Sequence, residues 1–142
     1  MIPFRPFISI VRTTFRTGDR DSAEEAQEKL CAGLSALGLN IGDTLAYVLN
    51  LLGQVSEDDA VRRLASEVVG IRTRNVLSAL LHERCPRSPV VMVLEDLHWV
   101  DTASQDWILR IAEADRDLPL LIIAAFRPHY RPPWANLPVS SP

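Results

Sequence analysis

Five consecutive apolar residues, Val90-Val91-Met92-Val93-Leu94, run directly into two carboxylates, Glu95 and Asp96. A short apolar run without alternation, entered after Pro86 and Pro89, predicts a strand buried on both faces, as in a parallel sheet. A second such run spans Leu120 to Phe126. Between them, Asp101 to Asp117 reads as a helix, with Asp101 as its cap and Trp107, Ile108, Ile111 and Ala112 facing inward. Strand, helix and strand in that order require parallel strands joined by a right-handed crossover. The chain is therefore expected to be α/β.

The first half is helical. Pro6 suits a first helical turn, and Phe7, Ile10, Val11 and Thr14 share one face of a helix over Pro6 to Arg16. Ser22-Ala-Glu-Glu25 has the spacing of a capping box. Ala23, Ala26, Leu30, Leu34 and Leu37 follow at helical spacing, and Gly38 fits the position just past the end. Asp43 is a cap candidate for a short helix through Leu52, closed by Gly53. Ser56 opens a third helical region. Its stripe of Val61, Leu64, Val68 and Ile71 continues in Leu77, Leu80 and Leu81, with Gly70 as a break or bend. Pro86 and Pro89 end it. From Arg127 the chain is rich in proline and has no regular pattern.

The 142 residues are 47% hydrophobic and 23% charged, with a net charge of −3. That is the composition of one globular domain large enough for its own core. It gives no electrostatic reason to expect direct nucleic-acid or anionic-membrane contact. No run approaches the ~20 apolar residues of a membrane span. Cys31 and Cys85 have no neighbour at metal-ligand spacing, which suits idle thiols in a reduced cytoplasm. Of 15 basic residues 14 are Arg, and Lys29 stands alone in a charged helical stretch with no glycine loop before it. His82 and His129 are isolated, and a packed Trp99 is expected beside the strand end.

The chemistry sits at Glu95 and Asp96. A bare acidic pair after a strand is compatible with a solvated loop. It is equally compatible with a metal site, because ligands of open α/β sheets bind at the carboxyl ends of the strands. Adjacent carboxylates there suit Mg²⁺, which keeps several waters and takes one or two carboxylates plus phosphate oxygens. One acid holds the metal through its water shell, and the other orients or deprotonates an attacking water.

The longer string Leu94-Glu95-Asp96-Leu97-His98-Trp99-Val100-Asp101 resembles the Walker B segment of bacterial STAND-type, AAA-related ATPase domains. These accompany adenylate/guanylate cyclase domains and large LuxR-type regulators, and typically have alanine where this chain has Val100. Leu120 to Arg127-Pro128 resembles the family's next strand, whose terminal arginine senses the last phosphate. The resemblance implies a P-loop NTPase-like, three-layer fold. It implies Glu95 and Asp96 as catalytic and Mg²⁺-associated residues, with Arg127 contacting ATP at one shared end of the sheet.

The chain departs from the family in one respect. Its glycines are Gly18, Gly33, Gly38, Gly42, Gly53 and Gly70, and none opens a Gly-x-x-x-x-Gly-Lys-Ser/Thr loop. In the family that loop lies just upstream of the point where this chain begins. The expectation is therefore an incomplete ATPase domain over residues 1–136 with a tail at 137–142, either an internal piece of a larger cytoplasmic signalling protein or the product of a broken gene. ATP and Mg²⁺ belong to the intact parent, and neither should bind tightly to these residues alone. Expected partners are the remainder of the ATPase domain or its output domain. A strand edge left unpaired by the missing loop strand favours self-association. The alternative is a non-catalytic interaction module whose nucleotide site is lost.

Overall fold

The structure, a computed structural model, describes residues 3–54, 60–114 and 116–135, the side chain of Asp43 aside. Ser56 and the expected tail at 137–142 lie outside the described residues. Helix α1 (Arg5–Phe15) carries Pro6 in its first turn and buries Phe7, Val11 and Phe15. The buried stripe is centred on Val11. Ile10 is left half-buried at its border and Thr14 exposed, its Oγ1 donating to the Ile10 carbonyl at 2.8 Å. Thr14 thus leaves the face assigned to it from spacing.

Helix α2 (Ala23–Ala36) begins at the expected capping box. Ser22 Oγ accepts from the Glu25 N–H, and Glu25 Oε2 accepts from the Ser22 N–H at 2.9 Å. Ala26, Leu30 and Leu34 are buried, Ala23 is exposed, and Gly38 adopts φ +75° just past the end. Gly33 lets α1 approach, since a Cβ there would lie 2.3 Å from Phe15 Cδ1. Overpacking of that kind costs about 1–3 kcal/mol, more than the roughly 1 kcal/mol alanine gains over glycine in a helix. Gly33→Ala is expected to lower the urea midpoint despite its better helix propensity.

Helix α3 (Ile41–Leu51) starts earlier than Asp43 suggested. Asn40 is its cap, with Oδ1 accepting from the Gly42 N–H at 3.0 Å, and Asp43 falls within the first turn. Helix α4 (Ser66–Arg84) runs through Gly70 without a break. Val61 is buried in a preceding 3₁₀ turn, but Leu64, Val68 and Ile71 are exposed. Leu64 falls just before α4, so the expected stripe does not run along one helix, and Val68 and Ile71 stand on a side of α4 that is left exposed among the described residues. Leu77, Leu80 and Leu81 are buried as expected. After α4, Arg87 reaches back about fifty residues, donating to the carbonyls of Ala36 at 2.6 Å and Leu37 at 2.9 Å. These are the carbonyls a helix end leaves without partners, so Arg87 ties the end of α2 to the chain entering the sheet.

Strands β1 (Val90–Leu94) and β2 (Leu120–Ala124) pair in parallel, Val90 opposite Leu120 through Leu94 opposite Ala124, with α5 (Thr102–Ala114) between them in sequence. Trp107 centres the core. Its ring meets Phe7 of α1 edge-on at 4.4 Å, and its Nε1 donates to Ser78 Oγ of α4 at 2.9 Å.

The sheet is not buried on both faces. Met92 and Leu94 face the helices, whereas Val91, Val93, Leu121 and Ile123 are 59%, 54%, 57% and 47% exposed. Among the described residues helices cover one face only, so two layers stand where three were expected. An α/β arrangement with a helical first half and a parallel βαβ unit is what the chain forms. No described helix is long and apolar enough to cross a membrane.

Candidate functional site

The parallel ladder continues one step past β1 and β2. Ala125 N–H donates to the Leu94 carbonyl at 2.8 Å, and Leu97 N–H donates to the Ala125 carbonyl at 3.1 Å. Between those two bonds the chain must turn sharply, and Asp96 does so in the left-handed region, at φ 53°. Aspartate tolerates that conformation better than most residues. Leu97 is fully buried beneath the turn and anchors it, leaving Glu95 and Asp96 exposed on the outside. A 3₁₀ turn over Leu97–Trp99 leads to α5.

Asp101 closes this segment. It is buried, its Oδ1 accepts from the Ser104 N–H at 2.9 Å, and its Oδ2 accepts from the fully buried Ser104 hydroxyl at 2.6 Å. The capping role expected from sequence is borne out. The acidic pair is thus held between a ladder bond on one side and a helix cap on the other.

Arg127 follows β2 by three residues, at the same end of the parallel pair, and is exposed. Its carbonyl accepts from the Tyr130 N–H at 2.9 Å. Gln105 of α5 donates to the Tyr130 hydroxyl at 2.8 Å, and the Tyr130 ring meets Phe126 edge-on. Burial pushes the Tyr130 hydroxyl above its ordinary pKa, partly offset by the Gln105 bond. The turn carrying Arg127 is therefore pinned to α5. No ion pair joins Arg127 to Glu95 or Asp96 among the described residues.

Two exposed carboxylates with hard oxygen donors, and no cluster of three metal-ligating side chains among the described residues, do not make a closed structural metal site. They fit a cation that keeps its own waters, as Mg²⁺ does. The chain's one lysine serves elsewhere. Lys29 Nζ donates to both oxygens of Asp21 at 2.8 Å, and this bond, with that from the Gly18 N–H, lowers the Asp21 pKa. Lys29 thus braces the start of α2.

Two features here escaped the sequence reading. Trp99 does not pack beside the strand end but is 71% exposed. Both ring nitrogens of His98 are buried without a hydrogen-bond partner, the ring lying 5.3 Å from that of Trp99 and 6.4 Å from that of His129. Nothing in residue type or spacing signals either.

The fold is α/β, with an acidic turn at the carboxyl end of a parallel strand pair. The AAA ATPase domain family matches residues 1–123, and the chain belongs to that family. It is also similar to an uncharacterized protein of Rhizobium meliloti (strain 1021), with 31% identity over 98 residues. The match covers 66% of this chain and 9% of that protein, so the chain spans a small part of its relative's length. No solved structure matches.

Proposed function

We propose that these residues are the metal-and-water half of an ATP-binding regulatory module in a bacterial signalling protein of the STAND type, with ATP binding and hydrolysis acting as a switch. The observation that carries this reading is the exit of Glu95-Asp96 and Arg127 from paired parallel strands at one end of the sheet, in a chain of the AAA ATPase family. In a P-loop NTPase-like, three-layer fold that end is where the triphosphate lies. One carboxylate holds the water shell of Mg²⁺ and the other orients the attacking water. Arg127 offers its planar, multidonor guanidinium to the terminal phosphate. Magnesium, when bound, supplies the neutralising charge between phosphates and carboxylates.

The phosphate cradle comes from outside these 142 residues, because no Gly-Lys-Ser/Thr loop is among them. By themselves they should bind Mg-ATP weakly or not at all. One charge-assisted contact contributes roughly 1.5–3 kcal/mol, against about 8 kcal/mol for micromolar affinity. Calorimetry with Mg-ATP is expected to show no micromolar binding. In a polypeptide that supplies the loop, Glu95→Gln or Asp96→Asn should slow hydrolysis by about 10²–10³-fold. Turnover untouched by both changes would remove the acidic pair from the mechanism.

A second reading, a non-catalytic interaction module, is favoured by the bare apolar face of the sheet. Micromolar-free calorimetry together with inactivity even when the loop is supplied would select it.

A further inference from the structure

We propose that His98 is a positioning residue that latches the turn carrying Glu95 and Asp96 to the turn carrying Arg127, with His129 as its partner. The inference deepens the reading of the acidic pair given above and rests on it. His98 stands on the 3₁₀ turn Leu97–Trp99, directly after the acidic pair. His129 stands in the turn that follows β2, which the Tyr130 N–H closes by donating to the Arg127 carbonyl at 2.9 Å. The two rings lie 6.4 Å apart, edge to face at 72°. They join the two turns through side chains, in addition to the backbone bond from the Leu97 N–H to the Ala125 carbonyl.

The nitrogens of His98 make this contact more than packing. A neutral imidazole carries one donor and one acceptor. Both are buried here, and neither has a partner. Each orphaned group lowers stability, and a phenylalanine or a leucine would fill the space without that loss. A buried group left unsatisfied calls for a role outside the resting fold. His129 supplies the partner for that role. Two hydrogen-bonded imidazoles, with nitrogens ~2.9 Å apart, set their ring centres at about 5 Å. The observed 6.4 Å is only roughly 1.5 Å longer.

The two sides of the latch differ in freedom. His98 is fixed by the fully buried Leu97 beside it, whereas Arg127 and His129 are both exposed. Tyr130 pins the far end of their turn to α5 through Gln105. A small movement about that point carries Arg127 and His129 together. A terminal phosphate that draws Arg127 toward the acidic pair thus brings His129 within reach of His98. Once made, the bond holds guanidinium and carboxylates in one geometry. A misplacement of about 1 Å at such a site costs on the order of 10²-fold in rate.

Urea unfolding of these 142 residues tests the orphaned nitrogens. His98→Phe keeps the ring and His98→Leu the volume, and at least one of them should raise the midpoint. A lower midpoint in both would mean that the nitrogens are satisfied in the resting fold, and would overturn the latch. Turnover tests its use. In a polypeptide that supplies the loop, His98→Leu should lower kcat for ATP about 10–100-fold and change KM less than about twofold, because the latch acts after ATP is bound. His129→Ala should do the same, and the double variant should be no slower than the slower single one. His98→Gln should regain most of the loss, since its amide offers both a donor and an acceptor. A merely structural role would neither separate kcat from KM nor be rescued by glutamine. Full turnover in His98→Leu, or losses that multiply in the double variant, overturns the latch alone where Glu95→Gln still slows hydrolysis. If Glu95→Gln and Asp96→Asn are also without effect, the reading of the acidic pair falls with it.

Discussion

Trp107→Ala should lower the stability of the chain by about 3–5 kcal/mol, the range for removing a large aromatic side chain from a packed interior. Trp107 is 2% exposed and joins three helices at once. It sits on α5, contacts Phe7 of α1 edge-on at 4.4 Å, and donates to Ser78 of α4 at 2.9 Å. Trp107→Phe separates the components. It keeps most of the ring volume and the edge-on contact but deletes the indole donor, and should lose only about 1–2 kcal/mol. Urea unfolding of the two variants checks both figures. Equal losses would mean that the hydrogen bond to Ser78, rather than the ring, holds α5 to the helical half.

The difference between what was legible in the sequence and what was not follows the range of each interaction. Ser22 and Glu25, Pro6, Gly38 and Asp101 act within a few residues of themselves, and each stands where its local chemistry predicts. Asn40 and Asp43 both offer a side-chain oxygen near the start of α3. Only the path of the backbone chooses between them, and it chooses Asn40. Val68 and Ile71 show the limit of periodicity, which reveals that a helix has an apolar face without revealing whether anything packs on it, and Leu64, at the same spacing, falls before the helix begins. The same limit applies to β1 and β2, whose apolar runs predicted two buried faces where one is bare. Gly70 weakens a helix in isolation, but the helix around it persists to the buried residues Leu77, Leu80 and Leu81. Arg87 lies beyond any local rule. Its partners are Ala36 and Leu37, about fifty residues earlier, and no spacing in the chain announces them.

At the candidate site the residue types were legible and the surroundings were not. An acidic pair after an apolar run marks Glu95 and Asp96. It does not show that Asp96 takes a left-handed turn, that Leu97 is buried beneath it, or that His98 holds two buried nitrogens with no partner. Those facts depend on the meeting of the β1 and β2 exits, where Ala125 bonds to both Leu94 and Leu97. The position of Glu95 and Asp96 is therefore a property of the two strands together.

Asp101→Ala tests how firmly that position is held, and should lower stability by about 2–4 kcal/mol. The helix cap is worth roughly 0.5–2 kcal/mol. Removing the carboxylate also leaves the Ser104 hydroxyl, which is fully buried, without its acceptor. An orphaned buried hydroxyl adds about 1–3 kcal/mol. Ser104→Ala in the same background should therefore restore part of the loss, since no hydroxyl then remains to be satisfied. Asp101→Asn keeps an oxygen for the Ser104 N–H and should be milder than alanine. Thermal unfolding of the two single variants and the double variant gives the coupling, expected at about 1–2 kcal/mol. Amide exchange gives the local consequence. With its helix-side anchor gone, the turn from Glu95 to Trp99 should exchange faster, while the N–H groups of β1 paired with β2 stay protected. Additive losses with unchanged exchange in that turn would show that the strand exit alone positions the acidic pair and that the Asp101 cap serves only α5.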